Sequence, residues 1–211
     1  MKMITKKIGL GAAALVIFSV AISSCAMEGR VLEEGTLKPI ERAIVVATWR
    51  GSQVRPAHAS SICYHVETTT TDIQGRYRIP RFSGNFDPLI ADRTSGVDFV
   101  YKAGYQESPK DGPSPEITLL SPFKGTTDQR FEYLSRNWAS TCATNAQNKA
   151  KILILWKAHY EEAKQIAETA KQRKTVEGLL VGLEALEFGW DVDQKNEDKR
   201  NSEAEVKGET K

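Results

Sequence analysis

His58, Cys63 and His65 fall within one short stretch and carry the donor atoms of a metal site. A structural zinc takes four ligands and a catalytic one takes three plus water. This stretch offers three donors and no carboxylate fixed at ligand spacing, so Cys63 in a disulfide or core and His65 on a strand face account for them better. No metal and no other cofactor is expected. Cys142 and His159 suggest a second chemistry, a thiolate with an imidazole base, which requires hydrogen-bonding reach and a third orienting group. A separation of 17 positions across a helix start does not ensure that reach, and a thiol-dependent hydrolase using Cys142 stands as the enzymatic alternative. Glu161 and Glu162 are adjacent, hence about 100° apart on a helix, unlike the facing carboxylates of a glycosidase. No Gly-rich loop followed by Lys and Ser or Thr occurs, so nucleotide binding has no motif. Catalysis is not expected.

Aromatic residues offer binding instead. Trp49, His58, Tyr64 and Phe86 become ligand contacts, through sugar stacking or peptide binding, if they share an exposed edge. The competing role for Trp49, Tyr64, Tyr77, Phe82 and Tyr101 is core packing. A carbohydrate-binding module is therefore an alternative resting on exposure alone.

The elements that must position these residues begin after a targeting segment. Lys2, Lys6 and Lys7 precede an apolar run, Ile8 to Ile22, that is shorter than the roughly 20 residues a transmembrane helix needs. Ile22-Ser23-Ser24-Cys25 closes the run and resembles a bacterial lipobox, which implies cleavage after residue 24 and a lipid on the Cys25 sulfur. With a second acylation, palmitate for instance, such a terminus holds a protein at a membrane surface, at about 0.8 kcal/mol per buried methylene. Ala26, in place of an aspartate, implies the outer membrane by the same resemblance, with the periplasmic or surface face left open. The full chain of 211 residues has a formal charge of +2, and residues 1–24 carry three lysines and no acid, so the mature chain stands at −1. Such a balance argues against a nucleic-acid partner.

From residue 25 to 121 the pattern is short strands between Gly and Pro turns. Ile44 to Trp49 is a β-branched apolar run too continuous for a half-exposed strand. Ser61 to Thr68 alternates, with Ile62, Tyr64 and Val66 on one face and Cys63, His65 and Glu67 on the other. Thr68 to Phe82 reads as a hairpin whose turn is specified by Asp72, capping backbone amides, and Gly75, free to take φ > 0. Gly51 to Ala59 reads as a loop, and a later strand begins at Gly96. These features give a sandwich or small barrel.

Gly29-Arg30-Val31, Pro39-Ile40 ahead of Ala43-Ile44-Val45, Thr69 to Pro80 around Asp72-Ile73-Gln74-Gly75-Arg76-Tyr77, and Tyr101-Lys102-Ala103-Gly104-Tyr105 occur in that order. Together they resemble the carboxypeptidase regulatory-like domains, accessory modules of secreted and cell-surface proteins. The resemblance covers roughly residues 28–121 and implies a seven-stranded transthyretin-like β-sandwich; followed by a helical C-terminal region read from its own pattern, it makes the expected fold mainly β with α. The resemblance implies no enzyme activity, because a fold does not carry chemistry.

Residues 122–190 read as helical. Thr126 with Gln129, and Thr144 with Gln147, have capping-box spacing. Ile152, Trp156, His159, Ala163, Ile166 and Ala170 keep one helical face, with Glu161 and Glu162 on the other. Lys171 to Lys174 reads as an exposed helix end favoured by a C-terminal dipole. Residues 191–211 form a charged tail with the composition of a disordered segment. The expected protein is a non-catalytic, lipid-anchored accessory module that binds or supports an envelope protein complex. With Cys25 lipidated in an oxidising compartment, Cys63 and Cys142 either form a disulfide or remain two buried thiols. Bonding predicts an intact mass about 2 Da lower without reductant than with it, and two alkylatable thiols in the native protein exclude it.

Overall fold

A computed structural model describes residues 26–54, 59–82, 84, 88–109, 112, 114, 116–136, 142 and 145–188. Cys25, His58 and Phe86 lie outside the described residues, as do the targeting segment and the charged tail. The strands are β1 (Ala26–Glu33), β2 (Ile44–Val54), β3 (Ala59–Thr70), β4 (Arg76–Pro80), β5 (Ile90–Tyr101), β6 (Tyr105–Glu107) and β7 (Ile117–Pro122). Helices α1 (Thr127–Arg136), α2 (Ala146–Ile166) and α3 (Ala170–Phe188) follow. One sheet has the order β4-β1-β7-β6 and the other β3-β2-β5. β1 runs parallel to β7, and every other described pairing is antiparallel.

The continuous apolar run of β2 is what sets the layering. Alternate side chains of a strand point to opposite faces. Val45, Ala47 and Trp49 therefore meet Val31, Tyr77, Ile79 and Leu120 between the sheets. Ile44 and Val46 join Val66 and Tyr101 against Phe131, Leu134, Ile152 and Leu155 of the helices. The result is helices on sheet on sheet, with the three-stranded sheet in the middle and its strand β2 buried on both faces along Ile44–Trp49.

Sequence separation 79 is closed by a disulfide between Cys63 of β3 and Cys142, with the sulfurs 1.94 Å and the Cα atoms 5.2 Å apart. Beside it the Val66 N–H, on the outer edge of β3, donates to Asn148 Oδ1 of α2 at 3.2 Å. A bare edge strand offers unpaired backbone groups, and here α2 covers that edge.

Three expectations about the strands are corrected. The stretch from Thr68 to Phe82 is not a hairpin, because β3 pairs with β2 and β4 pairs with β1 in the other sheet. Thr71 causes the departure: its hydroxyl accepts from Ala43 N and donates to Ile40 O, fastening the end of β3 before the chain crosses. The turn itself is present. Asp72 Oδ1 accepts from Gln74 N at 2.9 Å and Arg76 N at 2.8 Å, and Gly75 has φ of 70°. The expected loop from Gly51 to Ala59 is strand through Val54 and again from Ala59. Gly51 pairs with Ile62, and a Cβ there would lie 2.8 Å from Ala91 O, so the glycine permits a close neighbour rather than a turn. β5 begins at Ile90 instead of Gly96.

The helical segment also divides differently. α2 is capped by Asn145, whose side chain accepts from Asn148 N, and it ends at Ile166. Thr169 and Gln172 then form a reciprocal capping box, 3.2 and 3.0 Å, that starts α3. Lys171 and Arg173 consequently sit in the first turn of α3, with Lys174 just after it, where the dipole disfavours cations. Arg173 compensates by donating to Glu168 O at 2.7 Å.

At Gly75 a Cβ would approach Val31 O to 2.5 Å, in a left-handed backbone conformation. Gly75→Ala is expected to destabilise the fold by at least about 1–2 kcal/mol, the left-handed cost for an L-residue. Equilibrium urea unfolding checks this.

Candidate functional site

A bulge in β3 helps to shape a candidate ligand cleft. Trp49 pairs with His65 and Arg50 pairs with Cys63, so Tyr64 is the extra residue opposite β2. Such a bulge breaks strand alternation and re-aims a side chain. Tyr64 and His65 both join the cluster around Trp49, while Cys63 and Val66 both face the helices. The expected placement of Tyr64 and His65 on opposite faces is thereby corrected.

Among the described residues, three ring contacts organise this end of the sandwich. His65 stacks on Phe82 with centroids 4.2 Å apart at 28°, meets Trp49 edge-on at 5.0 Å, and Phe82 lies 6.0 Å from Tyr64. Trp49, Tyr64 and Phe82 line a cavity of about 330 Å³ together with Arg81, Arg93, Thr94 and Ser95. Trp49 is only 5% exposed, so it forms the floor and not a free stacking platform. Tyr64 and Phe82 are half-buried, and both arginines are exposed. Burial raises the Tyr64 pKa against the opposing charge of Arg93. Burial lowers the His65 pKa, against the hydrogen bond and charge of Glu67, whose Oε1 is 3.0 Å from Nε2. Lys151 of α2 bonds the same carboxylate oxygen. A larger opening of about 400 Å³ lies between β1 and β5, where Glu28 and Asp98 are held by Arg78 and Arg50.

A second polar constellation fixes the helices. Arg130 of α1 and Glu162 of α2 are 3% and 7% exposed. Arg130 donates through Nε to Glu162 Oε1 at 2.8 Å and through Nη2 to Oε2 at 2.7 Å, a bidentate pair. The carboxylate also accepts from Tyr101 Oη at 2.5 Å and Gly104 N at 3.0 Å, and Arg130 Nη1 reaches Tyr105 O at 2.6 Å. Phe123 and Tyr133 flank the guanidinium at 5.1 and 4.7 Å. Burial alone would raise the Glu162 pKa, but the bonds from Arg130, Tyr101 and Gly104 outweigh it and hold the carboxyl below its usual range. The same burial pushes the Tyr101 phenol up, helped by Glu162. His159, between Phe99 and Tyr101, is fully buried, and desolvation takes its pKa down to about 3.

The candidates from sequence are thus distributed. Trp49 and Tyr64 share one cleft, while His58 and Phe86 fall outside the described residues. Cys142 is in the disulfide and 1% exposed, so it presents no thiol in this structure. Among the described residues no group of three or more His, Cys, Asp or Glu is placed to hold a metal ion. Glu162, expected on the polar side of its helix, is corrected to a core position. Its spacing carried the signal: it lies three residues after His159 and four before Ile166, on the apolar stripe. Arg130, beside Phe131 and four before Leu134, has the same signature on α1. In comparisons with protein-family models, curated proteins and solved structures, nothing matched this chain.

Removing one partner of a buried ion pair leaves an uncompensated charge, at about 3–5 kcal/mol. Arg130→Met alone is expected to cost that much, and Arg130→Met with Glu162→Leu distinctly less. Equal losses in denaturant unfolding of the two variants would show that the pair is not coupled.

Proposed function

We propose that this chain is a lipid-anchored accessory module of the bacterial envelope that acts by binding or structural support rather than by catalysis. The observation that carries the reading is how the side chains suited to chemistry are occupied. Cys142 is bonded to Cys63, Glu162 is saturated by four hydrogen bonds, His159 is desolvated among rings, and Asp72 caps a turn. Each contributes to rigidity instead of waiting on a substrate.

The two sheets of seven strands and the order of the sequence motifs support a transthyretin-like, carboxypeptidase regulatory-like sandwich. β1 begins at Ala26 and pairs there with Pro80, so a lipid on Cys25 would hold the sandwich close against an outer-membrane surface. The helices would then offer a second surface, on which Ile154 of α2 and Val181 of α3 are 49% and 65% exposed. The expected partner is an envelope protein.

Crosslinking in the native membrane tests this. A photo-crosslinking residue at Val181 or Ile154 should give an adduct with one identifiable envelope protein, and Cys25→Ala should abolish it by releasing the chain from the membrane. Absence of adducts at both positions, or adducts that persist unchanged after Cys25→Ala, would overturn the reading.

A further inference from the structure

We propose that the cleft behind the β3 bulge binds an acidic saccharide, a compact sugar bearing a carboxylate or phosphate. The inference rests on the binding role above and names a ligand class for a surface separate from the helices. Its volume of about 330 Å³ lies at the small end of ligand pockets, roughly 300–1,000 Å³.

The cleft is walled by aromatic groups that are already braced. Phe82 is stacked on His65, His65 is packed edge-on to Trp49, and the bulge turns Tyr64 onto the same face. Pre-organised walls spare a ligand the entropy of ordering them. Tyr64 and Phe82, in tilted contact at 56° with their centroids 6.0 Å apart, form one angled wall, which suits a compact ring packed against it better than an extended strand across it.

The polar lining supplies the rest. Arg81 and Arg93 bring two guanidinium groups, and among the described residues that line the cavity none is a carboxylate. Glu67, the carboxylate bonded to His65, is engaged by Lys151 on the other side. Guanidinium matches carboxylate and phosphate oxygens through paired hydrogen bonds. Thr94 and Ser95 add hydroxyls that both donate and accept, the complement of sugar hydroxyls. An acidic peptide would satisfy the arginines, but it would make less use of the angled rings and the adjacent hydroxyls.

The test is an amide NMR titration of the mature chain with trigalacturonate, sialyllactose and glucose 1-phosphate. Maltotriose and an Asp-Asp-Asp peptide serve as controls. At least one acidic sugar should shift the amides of Tyr64, Arg93, Thr94 and Ser95. Arg81→Gln and Arg93→Gln should each weaken its binding about tenfold, the scale of one charge-assisted bond, while Tyr64→Phe keeps most of it. A response to carboxylate sugars alone or to the sugar phosphate alone would identify the anion. No response to any acidic sugar, an equal response to maltotriose, or a stronger response to the peptide would overturn the proposal. Each of these results leaves the crosslinking outcome at the helices independent.

Discussion

A single carboxylate joins the first two helices to the sandwich. Glu162 takes hydrogen bonds from another helix, from a strand tyrosine and from the backbone of a turn, and Arg130 extends the junction to the carbonyl of Tyr105. Ionised groups lose much solvation when buried, and their attraction often does no more than offset that loss. The value of such a junction lies in its directionality. Apolar contacts between helices and sheet tolerate sliding, whereas a bidentate pair with two further donors admits one register. The Tyr101 to Tyr105 segment, prominent in sequence as a sandwich motif, thereby becomes the seat of the helical layer.

The helices are held at separated points along the sandwich, by the disulfide at Cys63 and by the Glu162 junction near Gly104. Between them runs the apolar interface of Ile44, Val46 and Val66 with Ile152 and Leu155. This arrangement explains why β2 is apolar on both faces: its sheet is an interior layer. It also explains why the edge of β3 is not left open, since Asn148 satisfies the amide of Val66 there.

What sequence reveals depends on whether a signal is local. The β2 run, the Asp72 to Gly75 turn and the Thr126 to Gln129 cap all depend on neighbours a few positions away, and the structure displays the corresponding strand, turn and cap. The crossing after Thr71 was not legible, because it depends on bonds to Ile40 and Ala43 far back in the chain. The bulge at Tyr64 was hidden for the same reason: pairing with β2 decides which residue is extra. In the cleft, Trp49 and Tyr64 were visible as candidates, but Arg81 and Arg93 come from separate segments with no shared spacing. Glu162 and Arg130 were within reach, since both occupy apolar stripes, yet charge made them read as solvent-facing.

The placement of β1 has a mechanical meaning. It is an interior strand, joined antiparallel to β4 along Ala26 to Arg30 and parallel to β7 along Arg30 to Glu33. Tension applied through the chain just before Ala26 would enter along the strand axis and load hydrogen bonds on both flanks in shear. An edge strand pulled along its axis would have hydrogen bonds on one flank only to share the load. A molecule tethered at this point would therefore carry its load through the middle of a sheet.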